Sequence, residues 1–277
     1  MQYSIWDHLF RKYVPSVARI SYNPVVKLAG NTVSRLLSLP FNELRALPPN
    51  HLRIRIGVEN RILANHVHYL QMGAYFWHYF LSRQYCRFNS DVVELGCGCG
   101  RIAYPLKGAW FEGTYVGVDI DGEMIEYCRR NFPQGRFMFI VSPHSSKNYS
   151  PCGICDQNSS RIALSIADAG SKDFVYSVSL YSHLLEKEAS EYMLETFRVL
   201  RPSGHMFLTF FCIDHVKRGA RWTFAHRMDH AYIENEKYPE AAVAYERAYM
   251  IELVKKIGFR DLSIVSGDVQ SMLVARK

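Results

Sequence analysis

The stretch "VVELGCGCGR", Val92 to Arg101, sets three alternate glycines behind a short β-branched run and ahead of a segment with helical character. A turn of this kind, between a strand and a helix, lies at the carboxyl end of a parallel sheet, where doubly wound proteins bind their ligands. Gly96, Gly98 and Gly100 allow a sharp turn and let a ligand approach backbone with no Cβ in the way. Two familiar loops do not fit. A dinucleotide loop needs a small residue at its third glycine, and counting from Gly96 that place holds Arg101. A phosphate loop needs Gly-Lys-Ser/Thr, which does not follow.

Outward from this turn, Arg87 to about Phe211 alternates strand-like and helix-like segments, the pattern of an α/β protein with a mostly parallel sheet covered by helices on both faces. "DVVEL", "GTYVGVDI", "GRFMFIVS", "KDFVYSVSL" and "GHMFLTFF" read as strands one to five. Helices are expected at about 101–107, 122–131 and 187–200. Residues 142–169, rich in Ser, Asn, Pro and Gly, read as an irregular insertion. Beyond it, 212–240 is polar and aromatic, a helix is expected at about 241–256, and "FRDLSIVSG" and "QSMLVARK" read as an antiparallel pair closing the sheet edge.

The motifs resemble those of the class I S-adenosylmethionine-dependent methyltransferases. Their first motif is an acidic residue, an apolar residue and alternating glycines, here Glu94-Leu95-Gly96-Cys97-Gly98-Cys99-Gly100. Their second is the acidic end of strand two, here Asp119 in "YVGVDIDGEMIEYC". "KDFVYSVSLYSHL" resembles the fourth-strand motif, and "FRVLRPSGHMFLTFF" the helix, turn and fifth strand, with Arg-Pro-Ser-Gly for the usual Lys-Pro-Gly-Gly. The resemblance covers about Phe88 to Lys277. It implies a Rossmann-like seven-stranded sheet with an antiparallel C-terminal strand, and S-adenosylmethionine as cofactor, converted to S-adenosylhomocysteine. By resemblance Glu94, Gly96, Cys97 and Gly98 hold the amino-acid end, with Gly100 and Arg101 beside them. Asp119 takes the ribose hydroxyls, Met124 covers one face of adenine, and Ile120 and Ser177 complete the cofactor set. The family often places an acid after strand three to receive the adenine amino group. Here "IVSPHSSKNYSPCG" puts Pro143 there, leaving Ser142, His144 or a backbone group for that contact.

At the acceptor end, His183 is either a general base, as a neutral imidazole of tunable pKa, or a residue that orders its loop. Tyr181 is a second candidate base on the same loop. Residues 212–240 read as a substrate lid carrying His215, Arg218, Arg221, Trp222 and His226, whose bases suit an anionic acceptor. Asp214-His215 and Asp229-His230 are alternative bases. Cys97-x-Cys99 and Cys152-x-x-Cys155 have zinc-compatible spacing, but small residues in a glycine turn explain the first pair more simply, and no metal is expected. Cys128 and Cys212 read as packing residues.

The 277 residues divide into an N-terminal helical extension, 1–85, and the methyltransferase-like domain, 86–277. In the extension, Val25 to Leu39 puts its apolar residues on one half of a helical wheel and its polar ones on the other, and Pro40 stops it. Such a helix packs on its own domain's core or docks on a membrane surface. "NHVHYLQMGAYFWHYFLSRQY" is apolar nearly all round, as a helix buried against the sheet would be. "LRIRIG", Leu52 to Gly57, is similar to a segment upstream of the glycine motif in some bacterial methyltransferases.

No run of apolar residues is long enough to span a bilayer, and Asp7 and Arg11 interrupt any signal-like start. Seven irregularly spaced cysteines suit free thiols in a reducing compartment, so a cytoplasmic location is expected. The net charge of +7 favours anionic partners. The expected activity is methyl transfer to an O or N atom of a small molecule, such as a glycan or secondary metabolite. The alternatives are methylation of RNA or protein, or a silent cofactor-binding subunit. "SVSLYS" stands where amino-group methylation of DNA and protein uses an Asn-Pro-Pro-Tyr motif, which disfavours a nucleic-acid partner.

Overall fold

The computed structural model describes residues 23–56, 65–144, 166–216, 222–267 and 269–277. The chain forms two compact units, 1–75 and 76–277. None of the described helices is long and apolar enough to cross a membrane.

In the first unit, helix α1 (Pro24–Ser38) is started by Asn23, whose side chain accepts from the amides of Val25 and Val26, and by Pro24 in the first turn. Two short helices follow, α2 (Asn42–Arg45) and α3 (Asn50–Arg53). The wheel identifies the helix, but a core-packing α1 would bury its apolar half, and this one does the opposite. Ser34 and Ser38 are buried, whereas Val25, Leu28 and Leu36 are 74%, 71% and 60% exposed. A polar network pins that orientation. Arg53 donates to Ser34 Oγ at 2.7 Å and to Asn65 Oδ1 at 2.7 Å. Ser34 Oγ lies 3.1 Å from His66 Nε2, and Asn31 pairs with His51 through side chain and backbone. Burial, and the Arg53 charge next, lower the His66 pKa to about 4, so its ring stays neutral beside the guanidinium.

Helix α4 (His66–Ser82) runs from the first unit into the second. In the second unit it packs by one face, with Phe76, Trp77 and Phe80 buried and His78 and Ser82 exposed, and not all round as its sequence suggested. Phe80 packs edge-on against Phe174 and Phe207 at 4.9 Å, and Trp77 donates its indole N–H to the Ile102 carbonyl at 2.7 Å.

The sheet carries β1 (Val92–Leu95), β2 (Tyr115–Asp119), β3 (Phe137–Val141), β4 (Lys172–Ser177) and β5 (Leu200–Cys212) in the parallel order β3-β2-β1-β4-β5. Helix α5 (Gly122–Asn131) follows β2, and α6 (Glu186–Val199) follows β4. At the C-terminus, α7 (Arg247–Ile257) precedes β9 (Arg260–Val265) and β10 (Ser271–Arg276), and β10 inserts antiparallel between β5 and β9. Strands β1 to β5, β9 and β10 are the seven expected.

Two expectations need correction. The helix expected at 101–107 is only a single 3-10 turn, Tyr104–Lys107, entered through Pro105 and ended at Gly108, where the Trp110 ring occupies the place of a Cβ. The described part of 212–240, expected as a lid without strands of its own, holds short strands. Strands β6 (His226–Met228) and β7 (Ala231–Ile233) form a hairpin, and β7 pairs with β8 (Val243–Tyr245), which in turn pairs in parallel with the end of β5 at Phe211 and Cys212. The helix expected from 241 therefore begins at Arg247. Three-residue strands are too short for alternation to reveal them. Phe211, Phe224, Ala242 and Ala244 form a separate small core under this cap, with Trp222 and Tyr232 against it.

Candidate functional site

The parallel register places the site. Glu94 stands opposite Gly117 on one neighbour and Tyr176 on the other. The Tyr115 hydroxyl donates to Glu94 Oε2 at 2.5 Å and that of Tyr176 to the same oxygen at 3.0 Å. Gly117 makes this possible, because a Cβ there would meet the Tyr115 hydroxyl and the Phe139 ring at 2.9 Å. Burial pushes the Glu94 carboxyl up to about 8 against the opposing pull of the two phenols. It also holds both phenols well above their ordinary range, so they stay protonated donors.

Above Glu94 the chain turns through Gly96, Gly98 and Gly100, all at positive φ (76°, 54° and 81°). The amides of Gly96 and Cys97 return to the Val118 carbonyl at 2.8 and 3.0 Å. The Gly98 amide donates to Asp119 Oδ2 at 2.7 Å, while Asp119 Oδ1 accepts from the Asp121 amide at 2.9 Å. Asp121 in turn caps α5 by accepting from Glu123 and Met124. Burial raises the Asp119 carboxyl to about 6, against the three backbone amides that favour its anion. A Cβ on Gly100 would lie 2.6 Å from the Phe132 ring. Gly100→Ala is therefore expected to lower stability by about 1–3 kcal/mol, combining a left-handed backbone with overpacking, as urea denaturation would show.

The remaining predicted residues divide. Ser177 is buried and ties β4 to β1 by donating to the Leu95 carbonyl at 3.1 Å. Ile120 and Arg101 are half-buried at the turns, with Arg101 close enough to Glu94 to favour its ionised form. Met124 is buried on the inner face of α5 beside Ile125 and Cys128. Cys97, Cys99 and Cys128 are buried free thiols, and burial raises the pKa of Cys97 and of Cys128, consistent with packing. Burial likewise lifts the Cys212 thiol to about 11. Among the described residues no three His, Cys, Asp or Glu side chains gather as a metal site. Cys152 and Cys155 lie outside the described residues.

Around the loop after β4, Leu180 closes over Gly96, at 3.1 Å from the place of a Cβ. Ser179 adopts φ 63° and is held there by Thr209 Oγ1, which accepts its amide at 2.7 Å, and by Gln270. Nothing in the sequence marks Ser179, Thr209 or Gln270 as a group. His183 points to the cap, its Nδ1 donating to the Glu240 carbonyl at 2.9 Å. Burial lowers its pKa, and the Glu240 and Ala241 backbone contacts partly offset this. Tyr181 is fully buried and its hydroxyl has no hydrogen-bond partner among the described residues, while burial raises its pKa far above the working range of a base. Its phenol is a donor.

The cap is fastened to this same loop. Val243 donates to Ser182, Tyr245 to Leu184, and Glu186 accepts from the amides of His230 and Ala231. Of the expected lid residues, Trp222 packs on Phe211, His226 pairs with Glu236 at 3.3 Å, and His215 lies 2.7 Å from the Ser271 hydroxyl. Asp214 accepts from the Arg247 amide, and the His230 ring stacks on Tyr249. Arg218 and Arg221 lie outside the described residues. In the described part of the cap, Arg227 is engaged by Glu246 at 3.4 Å.

A 3-2-1-4-5 sheet with an antiparallel closing strand, a glycine turn after its first strand and an acid after its second defines a Rossmann-like nucleotide-cofactor protein. Residues 93–208 match the family model described as a methyltransferase domain. This stretch is a methyltransferase domain of the S-adenosylmethionine-dependent kind. It is 31% identical over 72 residues to a putative methyltransferase of Invertebrate iridescent virus 6, covering 25% of this chain and 27% of that protein. It is 28% identical over 126 residues to a malonyl-[acyl-carrier protein] O-methyltransferase of Hahella chejuensis, covering 46% and 37%. The chain thus spans well under half the length of these curated relatives. A solved SAM-dependent methyltransferase from Methanosarcina mazei superposes with a TM-score of 0.48 at 19% identity, covering 71% of this chain and 96% of that one.

The residues present fit the family's cofactor. A cradle whose glycines carry no Cβ admits its amino-acid end, Glu94 beneath is a carboxyl group able to answer an ammonium, and Asp119 stands at the end of β2. The cofactor supplies an electrophilic sulfonium methyl.

Proposed function

We propose that this chain transfers a methyl group from S-adenosylmethionine to a hydroxyl or amine of a small molecule. The observation that carries the reading is the junction of the glycine turn with Asp119 through the Gly98 amide, directly above Glu94. In this reading Glu94 and the loop backbone bind the amino-acid end, Asp119 receives the ribose hydroxyls, and Ile120 and Met124 border the adenine. The protein's remaining work is to hold the acceptor in line, exclude water and take up a proton. Placement of this kind contributes about 7–11 kcal/mol of barrier lowering.

The acceptor end is supported by a group of buried polar atoms. The His144 Nε2, Tyr181 hydroxyl and Glu188 Oε2 are buried without hydrogen-bond partners among the described residues. Of these, the His144 ring packs obliquely on Tyr192 at 5.0 Å. Buried polar atoms are costly when unpaired, and a polar acceptor that reaches any of them offsets that cost. The Hahella chejuensis relative is named for O-methylation, which supports an oxygen acceptor.

The test is S-adenosylhomocysteine release from S-adenosylmethionine across a panel of small hydroxyl and amine compounds. Release with at least one class supports the reading; saturable cofactor binding with no release from any class points instead to a silent binding subunit. With an acceptor in hand, His183→Asn is expected to lower turnover strongly while S-adenosylhomocysteine affinity is kept, and unchanged turnover removes His183 from the site. Tyr181→Phe is expected to lower turnover yet leave the melting temperature unchanged or higher, because it deletes an unsatisfied buried hydroxyl worth about 1 kcal/mol or more.

A further inference from the structure

We propose that α1 lies on the surface of an anionic membrane, with its apolar face in the lipid. The inference is independent of the methyl-transfer reading. It begins with the inverted amphipathicity of the helix. Val25, Leu28, Val33, Leu36 and Leu37 form one continuous stripe exposed to solvent, extended by Leu39 and by Phe41, which is 54% exposed. Scattered surface leucines need no explanation, but a contiguous stripe of this kind marks an interaction surface.

The helix cannot roll to hide the stripe. Its opposite face holds Asn31 against His51 and Ser34 against Arg53 and His66, and Gly30 lies close to Asn50, so a roll would break a buried hydrogen-bonded network. The stripe is therefore a fixed feature of the first unit.

Charge selects the occupant. Helix α1 contains Lys27 and Arg35 and no acidic residue, and the chain carries +7 overall. A second copy would bring like charges together, whereas an anionic lipid surface attracts them; each basic residue near such a surface adds to binding within a Debye length. At 15 residues the helix is too short to span a bilayer, so it lies in the interface plane, as amphipathic surface helices do.

The experiment is co-sedimentation of the full chain with vesicles of equal parts phosphatidylglycerol and phosphatidylcholine, and with phosphatidylcholine alone. The wild type is expected to sediment with the anionic vesicles, with partition falling as salt is raised. Leu28→Gln combined with Leu36→Gln, at exposed positions that leave the buried network intact, is expected to weaken partition about tenfold or more. Arg35→Glu is expected to weaken it less and to blunt the salt dependence. Far-ultraviolet circular dichroism checks that both variants keep their helices. No sedimentation of the wild type, equal partition to both vesicle types, or unchanged partition of the leucine variant overturns the proposal. So does a dimer by light scattering that the leucine variant dissociates without any vesicle binding, since the stripe would then be covered by a second copy.

Discussion

Asp119→Ala is expected to weaken binding of S-adenosylhomocysteine by about a hundredfold to ten-thousandfold. The carboxylate ends β2 with one oxygen on the Gly98 amide and the other on the Asp121 amide, so it sits between the glycine turn and the start of α5. Hydrogen bonds to a charged acceptor contribute about 1.5–3 kcal/mol each, and losing two from the ribose costs about 3–6 kcal/mol. The substitution also releases the Gly98 amide, which adds to the loss. Asp119→Asn keeps an acceptor oxygen and should fall between. A melting temperature measured on each variant separates loss of binding from loss of fold. Affinity unchanged in a folded Asp119→Ala protein would remove Asp119 from the cofactor site.

The second large effect is a pH dependence centred on Glu94. Its carboxyl is raised by burial from an ordinary value of 4.5 to about 8, so the folded chain holds a proton there that the unfolded chain releases. The stability tied to that proton is fully present below about 4.5 and is lost as pH rises through 8. Glu94→Gln keeps a group that accepts from Tyr115 and Tyr176 but cannot ionise. Its melting temperature should therefore lack the decline that the wild type shows between these values. Cofactor binding runs the other way, because an ammonium group favours the carboxylate. Wild-type affinity should rise with pH by up to about tenfold per unit between 6 and 8. In Glu94→Gln affinity should be lower and that slope should vanish, leaving only the fall below about 6 that Asp119 contributes. A wild-type affinity that is flat over this range, matched by Glu94→Gln, would contradict the role given to Glu94.

These effects rest on residues of unequal visibility in the sequence. The glycine turn and Asp119 stand out because backbone conformation restricts them locally: positive φ calls for glycine, and a strand end followed by a capped helix offers an acid its amides. Tyr115 and Tyr176 do not stand out. Their convergence on Glu94 depends on the register of three strands, and only Gly117, two residues beyond Tyr115, hints that a ring crosses the sheet there. The cap was readable as aromatic but not as strand, since β6, β7 and β8 are three residues each and paired largely among themselves. His183 was visible as a histidine near the mouth of the site. Its bond to Glu240, far along the chain, needs the cap in place. Helix α1 shows a different limit. Periodicity reports that one face is apolar; which way that face points is decided by the network of Ser34, Arg53 and His66.

The most direct test of the central claim is calorimetric titration of the purified chain with S-adenosylmethionine and with S-adenosylhomocysteine. Saturable binding of both, strengthening from pH 6 towards pH 8 as Glu94 ionises, is the predicted result. A folded protein that binds neither across that range would contradict the assignment of the glycine turn, Glu94 and Asp119 as a cofactor site.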